Sequence, residues 1–131
     1  MTQDSILSGS ELIAFAPTID PAKARGFYEC VLGLRLEADE SPFALVFDAN
    51  GTTLRVTIVP EHHPDPFTVL GWRVKDIEAA VRQLSDRGIV FQRYPGMNDA
   101  DPHAIWNAPS GARIAWFKDP DGNVLSLTQF R

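Results

Sequence analysis

The 131-residue sequence predicts an α+β fold in which two βαβββ modules form curved mixed sheets around a concave cavity. Three observations predict it. The signals for strand, helix, strand, strand, strand run twice in the same order along one chain. Each half closes on a glycine turn and an alternating strand. "NGTTLRV" (50–56) lies over "DGNVLSL" (121–127) without a gap, so Gly51 matches Gly122, Leu54 matches Leu125 and Arg55 matches Ser126. Each half also carries one punctuated helix, from Asp20 to Gly33 and from Asp76 to Gly88.

The elements follow in order. "ELIAFAPT" (11–18) reads as a strand. Asp20 is an N-cap type, Pro21 suits the first helical position, and Gly33 suits a left-handed C-terminal cap. Ala24, Phe27, Tyr28 and Val31 fall on one helical face. "LRLEADE" and "FALVFDA" read as a strand pair, "NG" at 50–51 as a hairpin turn, and 52–59 as the strand leaving it. The proline-rich "PEHHPDPF" (60–67) is a connector between a first module at 11–59 and a second at 68–131. In the second module, "TVLGWRV" predicts a strand and Asp76 a capped helix with Ile77, Ala80, Val81 and Leu84 inward. "IVFQRY" (89–94) predicts another strand. An irregular stretch over 95–111, without counterpart in the first half, precedes the strands "ARIAWFK" and "NVLSLTQF".

Length and composition suit a single domain with a sizeable core. The net charge of −5, with no basic stripe, argues against a nucleic-acid partner. No apolar run is long enough to span a membrane. The segment "MTQDSILSGS" lacks the basic-then-apolar pattern of a signal peptide, and the first nine residues read as a loose tail. Cys30 is the only cysteine, so no disulfide forms within the chain and a cytoplasmic location is expected.

Alternation assigns the faces. Leu54, Val56, Ile58, Leu125 and Leu127 are expected to cover the helices. Thr53, Arg55, Thr57, Val124, Ser126 and Thr128 then face the other way, as do Val69, Gly71 and Arg73. A concave face with a few polar groups suits a small ligand.

The repeated βαβββ order, "FYECVLGL" (27–34) and "FKDPDG" (117–122) resemble the vicinal oxygen chelate superfamily over about 11–130. That superfamily includes glyoxalase I, extradiol dioxygenases, fosfomycin-resistance enzymes, and bleomycin-resistance and mitomycin-binding proteins. The resemblance implies two metal ligands per module in the metal-dependent members: a His on the first strand and a Glu on the last. The matching positions here are Ile13, Arg55, Val69 and Ser126. None is a good ligand for a divalent ion, and a shift of one residue supplies no His or carboxylate. A member without metal or cofactor is therefore expected, similar to the drug-sequestering branch, whose proteins are commonly homodimers.

The expected ligand-binding residues are Phe15, Arg55, Thr57, Val69, Trp106, Trp116 and Ser126. Arg55 is either an anion clamp or half of a structural ion pair. Trp116 stacks a flat ligand or packs in the core, and Trp106 is a lid or an anchor for its loop. Ser126 has no His–Asp relay in sequence. His62 and His63 diverge in an extended connector, and Asp99, Asp101 and His103 read as solvated loop residues. Cys30 reads as structural, beside core positions. Three functions remain open: a module that binds or sequesters a small organic molecule, an enzyme (lyase, isomerase or dioxygenase) with displaced metal ligands or none, or a module without ligand that works through its dimer surface.

Overall fold

In the computed structural model of the chain, residues 6–131 are described. Of the expected tail, residues 1–5 lie outside them, and Ile6 and Leu7 lead exposed into a turn closed by Ser10 N–H on Leu7 O (3.0 Å). The first sheet contains β1 (Ile13–Thr18), β2 (Arg35–Glu40), β3 (Ala44–Ala49) and β4 (Thr52–Ile58), in the order β1-β4-β3-β2. The second contains β5 (Thr68–Arg73), β6 (Trp106–Asn107), β7 (Arg113–Lys118) and β8 (Val124–Gln129), in the order β5-β8-β7-β6. In each, the first and last strands pair parallel and the others antiparallel. The module is therefore used twice, with its connectivity intact.

Local chemistry places the turns and helices. Asn50 (φ 51) and Gly51 (φ 90) both take left-handed backbone, as the tight β3–β4 hairpin requires. Helix α1 (Pro21–Arg25) starts where the Asp20 carboxylate accepts Lys23 N–H (3.2 Å). Helix α2 (Ile77–Asp86) starts on Asp76 in the same way, through Ala79 N–H (3.1 Å). After Arg25 the first helix widens to π geometry over Gly26–Val31, with Leu32 N–H bonded to Phe27 O (2.9 Å). The wide turn lets two adjacent aromatics face inward. Phe27 reaches Phe117 of β7 (centroids 6.4 Å apart) and Tyr28 reaches Phe47 of β3 (5.8 Å). Cys30, expected beside the core, is exposed instead.

One predicted strand is absent. Residues 89–94 carry a strand-like pattern because Phe91 is buried, but only Gln92 N–H reaches the sheet, on Trp116 O (2.8 Å). The place beside β7 belongs to β6, from the stretch expected to be irregular.

The core lies on the helix side of both sheets. Leu45, Phe47, Leu54 and Val56 of the first sheet, and Ala115, Phe117, Leu125 and Leu127 of the second, are buried there. The alternation predicts Leu54, Val56, Leu125 and Leu127, while Ile58, expected with them, is only half-buried at the end of β4. A polar network joins the modules. Tyr28 OH donates to Asp119 Oδ2 (2.7 Å), and Asn123 Nδ2 donates to that oxygen (2.8 Å) and to Pro17 O (3.0 Å). Ile19 N–H donates to Asp121 Oδ1 (2.8 Å). "DPDGN" is thus more than a hairpin turn: it fastens the second module to the corner between β1 and α1.

Candidate ligand-binding face

The face opposite the helices carries the candidate site, and the strand register builds it in two patches. On the second sheet, Gly71, Ser126 and Trp116 form one row across β5, β8 and β7. Gly71 leaves room: a Cβ there would stand 2.8 Å from Ser126 Oγ. Ser126 is itself buried, at 7% exposure, beneath the surface of this face. A depression lies beside Trp116 at the end of this row. Its cavity of about 290 Å³ is lined by Pro66, Phe67, Thr68, Tyr94, Met97, Trp116 and Val124.

Trp116 is the centre of an aromatic cluster. The Tyr94 ring meets it edge-on (centroids 5.5 Å, 83°), and the Trp106 ring lies tilted against it (6.0 Å, 34°). Trp106 reaches this position because it pairs with Ile114, on the same face of β7 as Trp116.

The second patch lies on the first sheet. Phe15 of β1 pairs with Arg55 of β4, which pairs with Val46 of β3. Thr57, half-buried, pairs with Pro17 and Ala44 in the next row. Phe15 is 59% exposed. The two readings of Arg55 are separated here. Its Nη1 crosses β3 to Glu40 Oε1 on β2 (2.8 Å), so its charge is met by a carboxylate and the anion-clamp expectation gives way to the ion pair. Long side chains two strands apart on one face can meet, and the sequence separation of fifteen residues concealed it. Val69 belongs to neither patch. A register shift between Thr68 and Leu70 leaves it at a bulge, and it lines a cavity of about 350 Å³ with Leu12, Ala14 and Gly71, between the two edge strands β1 and β5.

The structure thus brings Trp106, Trp116 and Ser126 together, groups Phe15, Arg55 and Thr57 apart from them, and sets Val69 between. Sequence reasoning missed Phe67, Tyr94 and Met97. Phe67 had a signal, as the only large apolar residue of a connector rich in proline and charge. Tyr94 stands three positions from buried Phe91, so in an extended segment it faces the other way.

The remaining candidates have other work. His62 Nε2 bonds Asn123 Oδ1 (2.7 Å) and so supports the inter-module network, while His63 is exposed. Asp99 Oδ1 accepts Gly96 N–H (3.2 Å). Asp101 Oδ2 accepts His103 and Ile105 N–H (2.9 and 3.0 Å). Partial burial works against the Asp101 charge, but those two bonds, with His103 and Arg113 nearby, hold its pKa below the ordinary value. Among the described residues, no three His, Cys, Asp or Glu side chains converge as a metal site would require. At the four positions matched to metal ligands stand two hydrocarbons, a guanidinium held by Glu40, and a hydroxyl; this donor set does not suit a divalent ion.

Two mixed four-stranded sheets, each from one βαβββ module and sharing a core, define a class of small α+β proteins with an open face for ligands or metals. The chain belongs to the Glyoxalase/Bleomycin resistance protein/Dioxygenase superfamily, whose family model matches residues 12–127. It is similar to TnmS3, an antibiotic binding protein from Streptomyces sp. CB03234, at 29% identity and a TM-score of 0.70, over 92% of this chain and 95% of that one. A glyoxalase/bleomycin resistance protein from the same organism is 30% identical, with a TM-score of 0.65 over 92% of this chain and 100% of the other. Lactoylglutathione lyase from Agrobacterium tumefaciens shares the fold (TM-score 0.71, 93% and 95% covered) at 14% identity. No curated protein matches the chain in sequence. No helix among the described residues is long and apolar enough to cross a membrane.

Proposed function

We propose that this protein binds, without catalysis and without a metal, a small planar organic molecule on the open face of its second module. It works as a homodimer in a reducing compartment. One observation carries the reading: the Trp116 cluster with Tyr94 and Trp106, on the face away from the core, beside an exposed Phe67. Aromatic planes with an adjoining depression favour a flat ligand through area burial and ring stacking. The likeness to an antibiotic binding protein at 29% identity supports the same class of ligand. Because Glu40 neutralises Arg55, an anionic group on the ligand is not required.

The test is a titration of tryptophan fluorescence with three planar probes: proflavine (cation), naphthol (neutral) and naphthoate (anion). Trp116→Ala is expected to weaken the best of them by about 2 kcal/mol, roughly thirtyfold in Kd. Arg55→Ala should leave that affinity in place and cost stability of only about 0.2–1 kcal/mol, as for an exposed ion pair. Unchanged binding in Trp116→Ala would sink the site. Stoichiometric metal retained after incubation with Ni, Zn, Mn or Fe(II) and desalting would overturn the metal-free reading.

A further inference from the structure

The 95–111 stretch has no counterpart in the first module, yet it supplies Met97 and Trp106 to the site. Its internal bonding converges on one side chain. Asn98 is 1% exposed. Its Oδ1 accepts Tyr94 N–H (2.7 Å), and its Nδ2 donates to Gln92 O (2.9 Å) and Ala104 O (2.6 Å). Three of the four hydrogen bonds an amide can make are therefore filled, and they tie both ends of the excursion to one group. Arg93 Nη1 reinforces the turn through Asn98 O, Asp99 O and Asp101 O (3.2, 3.2 and 2.7 Å).

The backbone at one of those ends is strained. Ala104 is buried and takes φ 56, a left-handed conformation that L residues with a Cβ avoid. Such conformations persist only where the surroundings impose them, and they cluster at functional sites. The turn at Ala104 sends Ile105 into the core, at 1% exposure, and brings Trp106 to the open face against Trp116. At the other end, Gln92 N–H is fixed to Trp116 O, two residues before Tyr94.

We propose that Asn98 is the positioning residue of the aromatic site: it holds Tyr94 and Trp106 against Trp116, as a wall formed before any ligand arrives. Trp106 is then a fixed part of the site and does not close over it as a lid. A small molecule meeting prearranged rings avoids the entropy of ordering them, so the residue sets affinity without touching the ligand. The positioning role is independent of ligand chemistry; its effect on affinity rests on the function proposed above.

The two indoles of Trp106 and Trp116 are close enough for their transitions to couple, giving a far-ultraviolet circular dichroism couplet that Trp106→Phe identifies by abolishing it. Asn98→Ala is expected to lose the couplet while still unfolding cooperatively, and to weaken naphthol binding about tenfold. Val56→Ala, a cavity in β4 of the first module, is expected to lower Tm and keep the couplet. If Asn98→Ala fails to fold, Asn98→Asp keeps the acceptor for Tyr94 N–H, loses both donors, and carries the same expectation. A couplet retained in an Asn98 variant that folds overturns the proposal. A couplet lost in the variant, with no naphthol bound by the parent protein, upholds the positioning role and sinks the ligand reading alone.

Discussion

Tyr28 concentrates the residue-scale argument. It is fully buried, and its hydroxyl donates to the Asp119 carboxylate across the module boundary. Burial, and then the Asp119 charge, raise its pKa far above the ordinary 10.0. A raised folded value means that the contribution to stability is whole below pH 10.0 and is lost as pH rises beyond it, because only the unfolded chain releases the proton there. Tyr28→Phe should therefore flatten the alkaline loss of stability. Near neutral pH it should cost about 2 kcal/mol, the worth of a bond to a charged acceptor. Urea unfolding at neutral and alkaline pH measures both; an equal alkaline slope in parent and variant would remove Tyr28 as the cause. From sequence, Tyr28 was legible as core. Its partner was not, because Asp119 lies 91 positions away.

At the scale of elements, the strands were legible where period-two alternation and glycine turns coincide, as in β3–β4 and β7–β8. Legibility failed at residues 89–94, where burial of Phe91 imitates a strand but Asn98 and Arg93 hold the neighbouring backbone in a turn. It also failed at Val69, since a bulge shifts the register without a sequence signal of its own. The row Gly71–Ser126 gives an element-scale prediction. Gly71→Ala places a methyl 2.8 Å from Ser126 Oγ and should cost about 1 kcal/mol by overpacking β5 against β8. Ser126→Ala removes the obstructing hydroxyl, so the double variant should lose less than the sum of the singles. Strict additivity in denaturant unfolding would show that the hydroxyl simply rotates away.

At the scale of the whole molecule, large apolar side chains stand exposed along the two edge strands β1 and β5. Ile13 (51% exposed) and Phe15 (59%) share the open face of β1, and Phe67 (60%) and Val69 (41%) stand exposed in and just before β5. Large apolar side chains on one face are the usual mark of an interface. If a second copy covers them, Phe15→Asp should convert the protein to monomer in sedimentation or light scattering, with its fold intact by circular dichroism. A parent protein that is already monomeric at micromolar concentration would end the homodimer proposal. Family membership and fold were legible at this scale because the module is duplicated, so each half confirms the reading of the other.

Sequence alone determined that the module is repeated, the helix caps at Asp20 and Asp76, and which side of β4 and β8 meets the core. All of these are set by short-range preferences and by periodicity. It also singled out Trp116 and Ser126, because alternation places residues on a face, and Trp106, as a large aromatic in a loop without counterpart. Only the tertiary structure decided what those residues meet. Glu40 reaches Arg55 across an intervening strand, "DPDGN" locks onto β1 and α1, and Asn98 bonds backbone groups from Gln92 to Ala104. Those partners are joined by hydrogen-bond geometry after folding, and neither hydrophobic period nor turn chemistry records which distant polar group will arrive.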